Sequence, residues 1–466
     1  MKRTTGKLWL LLRSATNYRG GWAALALVIL LSLLFRLPPG GAVAPAHGDV
    51  PAYLAGAYHI SADHIYAVDG APGPATPALG REPLYPLFLA GILQADPNFH
   101  KFTLACLTRN DACPASIFAV PRIANLILIL LTGICLFIAG RKLTASPAGG
   151  VLAAAYILFN THMNKVWGDL MSDWLALFLV AAALLAFLWA KQTGAAWRFA
   201  ILATILAALT LTKAIFLPFC LAAIIIATLT QLGPNRRQAG AILAASLLYI
   251  AIVGGWAARN YTVSGMFRLT DSRSGIALST RAVFDDMTPR QYAAAFVFWS
   301  GPTGSRLARH WFGHETADAF DLTQPGGYYE RGQLGYGIRV QQAMARDHID
   351  TWQATAQIDH EIIASIAAHP IAYALTMFPL TYRGLGIDEF LIVGFPCFLY
   401  AFWHAVRRRD WVLVTLLSAG AYNMLAYAAF SLNIQRYQIT AMPEVALAFA
   451  VVCAGRRKPE KQGLLF

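Results

Sequence analysis

The sequence predicts an all-α polytopic membrane protein with about ten or eleven transmembrane helices. Of its 466 residues, 57% are hydrophobic and only 13% are charged, a composition that does not stay soluble as a globular domain. Apolar runs of about 20 residues, the length that crosses a hydrocarbon core of about 30 Å, recur along the chain. Basic residues are concentrated in the short segments between these runs, as in multi-pass membrane proteins.

Ten apolar runs are predicted to span the membrane, the first as an uncleaved anchor because no convincing small-residue cleavage site follows it. The predicted spans are 21–37, 117–139, 147–163, 170–190, 197–212, 213–231, 239–257, 390–406, 411–430 and 438–454. The apolar stretch 366–385 contains two prolines and Arg383. It is either an eleventh span or a helix lying at the membrane surface, and we favour the surface helix.

The distribution of charge predicts the orientation. The N-terminal arm, the C-terminal tail and the short turns on the same side hold 18 of the 37 basic residues and only two acidic ones. The long loops 38–116 and 258–389 are slightly acidic. Short cytoplasmic segments carry the excess of Lys and Arg, so both termini are predicted to be cytoplasmic, in the inner (plasma) membrane. The net charge of +13 is therefore a topology signal, and no nucleic-acid partner is predicted because no basic binding face or motif accompanies it.

This topology divides the chain into five segments. They are a cytoplasmic arm (1–20), a transmembrane core (21–257) that includes the first external loop (38–116), an external lid region (258–389), C-terminal spans (390–454) and a cytoplasmic tail (455–466). The two long loops place function on the outer face. The second half does not repeat the loop lengths of the first, which weakens but does not remove a transporter interpretation.

Two motifs lie in the first external loop. Gly48-Asp49-Val50-Pro51-Ala52-Tyr53 follows the first span, and Arg81-Glu82-Pro83-Leu84-Tyr85-Pro86 comes about thirty residues later. A span, then Gly-Asp-x-x-x-Tyr, then Arg-x-Pro-x-Tyr-Pro before a second span resembles the lipid-linked-sugar glycosyltransferases of the GT-C fold. Within these it is most similar to the protein mannosyltransferase and aminoarabinose transferase group.

The resemblance implies an inverting enzyme that moves a sugar from a polyprenyl-phosphate donor to a protein, lipid or glycan acceptor on the outer face. It assigns the catalytic base to Asp49, since transfer to a hydroxyl or amine needs a group that takes the acceptor proton. Asp49 to Tyr58 is predicted to form a short helix at the membrane interface. Capping that helix is the alternative role for Asp49.

The resemblance also implies substrate-binding residues. Arg81 suits phosphate oxygens, Glu82 could orient Arg81 or accept a sugar hydroxyl, and Pro83 starts a helix that contains Tyr85. Many relatives have Pro at the Glu82 position, and a surface salt bridge is the alternative role for the Arg81-Glu82 pair. Further candidates come from matches at span ends, and they are Arg122, Asp173, Lys213, Arg259, Arg436 and Tyr437. Lys213, Arg259 and Arg436 would neutralise the departing phosphate. Interface anchoring, snorkelling or helix initiation are the structural alternatives for this set.

No metal site is predicted. His310, His314 and Glu315 form one cluster and Asp359-His360-Glu361 another, but neither has the ligand pattern of zinc hydrolases. A divalent cation (Mg²⁺ or Mn²⁺) beside Asp49 remains an open possibility from the resemblance. Cys106 and Cys113 could close a small disulfide loop in an oxidising compartment. A lipid-linked-sugar flippase and an envelope scaffold are the competing functions, and Asp49 distinguishes them from a transferase.

Overall fold

The computed structural model describes residues 18–36, 48–68, 75–96, 103–108, 118–231, 236–270, 273–385 and 390–456. Within these ranges the regular structure is entirely helical. The chain forms two compact units: Met1–Leu269 with Ile392–Gly420 and Thr440–Phe466, and Thr270–Leu391 with Ala421–Ile439.

The early helices all belong to the first unit. They are α1 (Tyr18–Arg36), α2 (Val50–Ala62), α3 (Leu84–Ala95), α4 (Leu104–Thr108), α5 (Ala119–Thr144), α6 (Pro147–Leu158), α7 (Thr161–Val166), α8 (Asp173–Thr193), α9 (Ala196–Thr212), α10 (Leu217–Gln231) and α11 (Arg236–Ser264). The later helices are α12 (Arg273–Ala282), α13 (Pro289–Phe298), α14 (Pro302–Phe312), α15 (His314–Asp318), α16 (Tyr328–Asp347), α17 (Thr351–Ala368), α18 (Pro370–Leu385), α19 (Phe395–Arg407), α20 (Trp411–Phe430) and α21 (Met442–Ala454).

The chain is an all-α membrane protein, and among the described residues five helices are long and apolar enough to cross a membrane. They are Ala119–Thr144, Asp173–Gln192, Gln238–Ser264, Trp411–Phe430 and Gln435–Ala454. A sixth is counted if α17 and α18, which meet at 95°, form one broken span. This bent pair contains the apolar stretch 366–385, and the break falls at His369, before Pro370.

The other five predicted spans are present as shorter apolar helices. They are Gly20–Arg36, Pro147–Leu158, Ala196–Thr212, Ala214–Leu229 and Ile392–Arg407. The 12 residues of α6 give a length of only about 18 Å at 1.5 Å per residue. The prediction of ten or eleven full spans is therefore confirmed at full span length for five or six helices. The other helices are shorter than predicted because hydropathy locates an apolar run but does not fix the residues at which its helix ends.

Close approach of small residues packs the first unit. Helix α5 packs along α6, and a Cβ added to Gly150 would lie 2.4 Å from the carbonyl oxygen of Phe137. Helix α6 begins cleanly because the Ser146 hydroxyl accepts a hydrogen bond from the Ala148 N–H at 3.2 Å, a standard N-cap. Small residues let backbones approach where lipid supplies no hydrophobic drive between helices.

The second unit has its own core. One cluster packs rings against each other, with Phe284 stacked on Tyr328 at 4.7 Å between ring centres. A second cluster of α16 and α17 residues includes Tyr336 and Ile358. Helix α17 starts at a capping box in which Asp350 accepts the N–H groups of Trp352 and Gln353. Local capping and aromatic packing thus give this segment, predicted as an external lid, a defined fold.

Candidate functional site

Asp49 and Arg81, the central residues of the two motifs, form an ion pair in the first unit. The Arg81 Nη2 lies 2.9 Å from the Asp49 Oδ1, and the two side chains are only 14% and 20% exposed. Asp49 stands at the N-cap position of α2, but its side chain makes no capping hydrogen bond. The alternative role as a helix cap is therefore wrong for this side chain. The predicted helix from Asp49 to Tyr58 is present as α2.

Arg81 keeps part of its hydrogen-bonding capacity. Its Nη1 is buried and has no hydrogen-bond partner among the described residues. The guanidinium also lies over the ring of Tyr53, 5.7 Å from its centre. A buried, unsatisfied charged donor is costly, so this nitrogen is suited to an oxyanion that enters the site.

Glu82 joins the segment between α2 and α3 to the residues just after α9. Its Oε1 accepts a hydrogen bond from the backbone N–H of Ala214 at 3.0 Å. Ala214 directly follows Lys213. Burial raises the pKa of Glu82 above its usual 4.5, while the Ala214 N–H and the charge of Lys213 oppose that rise and the charge of Asp49 adds to it. Glu82 is thus a partly buried connector, and the alternative of an exposed surface salt bridge is wrong for it.

Lys213 and Asp173 form a second ion pair in the same unit. The Lys213 Nζ lies 3.1 Å from the Asp173 Oδ1, with side chains 11% and 2% exposed. Helix α9 ends at Thr212, and Lys213 takes an extended backbone conformation before the next helical turn. Asp173 is the first residue of α8. The two predicted candidates are therefore direct partners. Asp173 is the counter-charge of Lys213, the lysine that is predicted to bind phosphate.

Tyr53 and Ser172 complete a ring of contacts around the two ion pairs. The Tyr53 hydroxyl is 3.0 Å from the Ser172 hydroxyl, and Ser172 precedes Asp173. Tyr85, fully buried, packs edge-on to the Tyr53 ring at 5.1 Å. Sequence reasoning predicted Tyr85 but not the role of Tyr53 or Ser172. The Tyr in the Gly-Asp-x-x-x-Tyr motif was the available signal for Tyr53.

Arg259 contacts the backbone of the segment between α2 and α3. It donates to the carbonyl oxygens of Ala78 at 2.8 Å and Tyr66 at 3.4 Å. It also lies over the ring of Trp256, 4.9 Å from its centre. Tyr66 in turn donates its hydroxyl to the carbonyl oxygen of Arg81 at 2.7 Å. Arg259 therefore positions the Arg81 segment, a role that the sequence did not indicate.

Arg122 lies near the loop before α8 and interacts electrostatically with Asp169. The backbone oxygen of Asp169 accepts hydrogen bonds from the Asn125 side chain and the Trp174 indole N–H, both at 3.0 Å. Asn125 also lies beside Tyr85. Neither Asn125 nor Trp174 was predicted from the sequence.

Arg436 and Tyr437 belong to the second unit. The Arg436 guanidinium lies 5.5 Å from the centre of the Tyr437 ring, and Tyr437 stacks on Tyr427 at 4.6 Å. These contacts do not test the phosphate-binding role predicted for Arg436 or the substrate-binding role predicted for Tyr437.

The cysteines of the described residues include one that is disulfide-bonded and four that are free. Cys106 is disulfide-bonded, and its predicted partner, Cys113, lies outside the described residues. Cys135, Cys220, Cys397 and Cys453 are free.

In the described part of the chain, no group of three or more His, Cys, Asp or Glu side chains is arranged to hold a metal ion. Asp49 and Glu82 each have a protein partner, Arg81 for Asp49 and the Ala214 N–H for Glu82.

Comparison of the sequence with models of protein families gives no match, and comparison with curated protein sequences gives none either.

Proposed function

We propose that the chain is a membrane-embedded glycosyltransferase that uses a polyprenyl-phosphate-linked sugar on the outer face of the plasma membrane. The observation that carries the proposal is the Asp49–Arg81 ion pair. It joins the acidic residue and the arginine of two motifs that resemble those of GT-C transferases. An apolar protein whose buried polar groups gather at one place has a functional site there by default.

The proposed reaction uses the side chains of this ring in three roles. Asp49, whose side chain lies beside Arg81, takes the proton of the acceptor hydroxyl or amine. The acceptor atom bonds to the anomeric carbon from the face opposite the leaving group, which gives inversion. The bond from that carbon to the phosphate oxygen breaks, and the polyprenyl phosphate leaves with the electron pair.

Preorganised positive charge favours the departure of the polyprenyl phosphate more than a proton donor would. The Nη1 of Arg81, buried and without a hydrogen-bond partner among the described residues, is the first group available to the phosphate. Lys213 adds a second cation, restrained by Asp173. Glu82 fixes the Arg81 segment to Ala214, so that the two cations keep their spacing.

The test is mass spectrometry of envelope lipids and glycans from cells with the gene intact, deleted, or carrying Asp49→Asn. Asn keeps an oxygen for Arg81 but cannot act as a base, so transfer should fall by about 100-fold or more, the usual contribution of a general base. One sugar should vanish from a defined acceptor while its lipid-linked donor accumulates.

Asp63→Asn is the matched control. Asp63 follows the same helix α2, and its side chain is 42% exposed beside His59, so this variant should transfer normally. An unchanged glycan profile with a precursor stranded on the cytoplasmic leaflet would favour a flippase instead. An envelope scaffold would respond to neither substitution.

A further inference from the structure

Arg383 is a buried cation in the second unit. It lies near the end of α18, is 7% exposed, and its guanidinium lies 4.9 Å from the centre of the Trp299 ring. Among the described residues it forms no ion pair with a carboxylate and donates no hydrogen bond. Burying a charge without a partner is costly, and proteins rarely leave such a charge unused.

Arg281 of the same unit shows how a structural arginine is arranged. It is fully buried, and it donates to the carbonyl oxygens of Ala428 and Tyr373 at 2.7 and 2.6 Å. It also pairs with Asp285 at 2.7 Å. Every nitrogen of Arg281 has an acceptor, so the fold can satisfy a buried guanidinium when its role is structural. Both arginines lie over an aromatic ring, Arg281 over Tyr373 at 4.1 Å from the ring centre. Arg383 differs in having donors that are not used by the described residues.

Trp299 adds a second unused donor beside Arg383. It is 8% exposed, and its indole N–H has no hydrogen-bond partner among the described residues. A buried indole N–H normally finds an acceptor. Two adjacent side chains, each more than nine-tenths buried, thus offer only donors and one full positive charge.

A second arginine borders the same aromatic residue as Arg383. Tyr437 interacts electrostatically with Arg383, and the Arg436 guanidinium lies over the same Tyr437 ring. The two arginines therefore border one aromatic residue. Such a set of donors matches a group with several acceptor oxygens and negative charge, as in charge-assisted recognition of phosphate.

We propose that Arg383 and Trp299 form an oxyanion-binding site in the second unit that takes a phosphate group. The arginine supplies the charge and the fork of donors, and the indole N–H supplies a further hydrogen bond. The phosphate is carried by a lipid headgroup or by a soluble molecule, and the chemistry of recognition is the same for both. The site is independent of Asp49 and does not rest on the proposed transferase function.

The test uses the full-length protein in nanodiscs of phosphatidylcholine. Calorimetry measures binding of inorganic phosphate, and native mass spectrometry measures retention of phosphatidic acid. Arg383→Gln and Trp299→Phe should each weaken phosphate binding by about tenfold or more, as expected for loss of one charge-assisted hydrogen bond. Trp299→Phe keeps an aromatic ring beneath the guanidinium, so its thermal unfolding midpoint should stay close to that of the wild type.

Arg346→Gln is the matched control, because Arg346 is an exposed arginine of the same unit, 65% exposed and paired with Asp347. It removes the same charge and should leave binding unchanged. Retention of phosphatidic acid but no binding of free phosphate assigns the site to a lipid headgroup, and the reverse assigns it to a soluble phosphate.

Two results would overturn the proposal. One is that no phosphate or phosphatidic acid binds in a manner sensitive to Arg383→Gln and Trp299→Phe while both variants remain folded. The other concerns Asp388 and Glu389, which follow Arg383 in the sequence and lie outside the described residues. If Arg383→Gln lowers the unfolding midpoint and neutralising Asp388 or Glu389 restores it, Arg383 is an internal ion-pair partner and no ligand site exists.

Discussion

At the scale of single residues, the ion pair between Asp49 and Arg81 is more informative than either residue alone. A pair this well shielded from water has lost hydration that a surface pair keeps, so its stability contribution is a weak reason for its presence. A polar network within an apolar protein is better explained by a ligand that uses it. The sequence predicted both residues, and the structure adds that they contact each other.

The raised pKa of Glu82 predicts a pH dependence of stability. A carboxyl whose pKa is higher in the folded state binds its proton more tightly there, so folding stability falls as pH rises from 4.5 through the raised pKa. Glu82→Gln cannot ionise and should flatten this part of the profile. Thermal unfolding midpoints of both proteins between pH 4 and pH 8, in the same detergent, test it.

The exposed carboxylate Glu361, which pairs with Arg339, supplies the control. Glu361→Gln should leave the slope of the wild type in place. A Glu82→Gln variant with the same slope as the wild type would show that burial does not control the protonation of Glu82.

At the scale of elements, close packing of α5 and α6 depends on glycines. A methyl group at Gly150 would meet the backbone oxygen of Phe137 at 2.4 Å, and backbone cannot move aside as a flexible side chain can. Gly150→Ala should therefore destabilise the protein by about 1–3 kcal/mol, the usual cost of overpacking. The measurement is the unfolding midpoint of purified protein followed by circular dichroism.

Gly254 of α11 is the control position, because a Cβ added there has no atom within 4 Å. Gly254→Ala should be neutral or slightly stabilising, since Ala favours helix over Gly. Equal losses of stability in Gly150→Ala and Gly254→Ala would mean that the flexibility of glycine, and not close helix packing, explains the glycine at position 150.

At the scale of the whole molecule, the distribution of Lys and Arg predicts the orientation of the protein in the membrane. Arg346→Cys tests the segment 258–389, and Arg408→Cys tests a turn predicted to be cytoplasmic. Both positions are exposed, and both variants are made with Cys453→Ser because Cys453 is exposed. A thiol reagent that does not cross membranes should label Arg346→Cys in intact cells.

Arg408→Cys should react with that reagent only after the membrane is opened. The reverse pattern would invert the topology and would place Asp49 on the cytoplasmic side. The proposed donor would then face the wrong leaflet for transfer on the outer face.

The sequence by itself determined the class of protein and the approximate position of its helices. Apolar runs exclude a soluble fold, and every predicted span corresponds to an apolar helix because backbone groups in lipid must bond within the helix. It also selected Asp49, Arg81, Glu82 and Lys213, because they stand at positions that resemble the motifs of GT-C transferases. What it could not determine was the length of α6, because helix ends depend on caps and packing.

Only the tertiary structure decided which of these residues meet. Asp49 and Arg81 are 32 positions apart and Glu82 and Ala214 are 132 apart, and no local pattern encodes contacts across such distances. The same holds for Arg259, which touches the loop at Tyr66 and Ala78, and for Arg383 beside Trp299. Side-chain partners depend on how helices pack in three dimensions, and hydropathy and motif order, which follow the chain in one dimension, leave that packing undetermined.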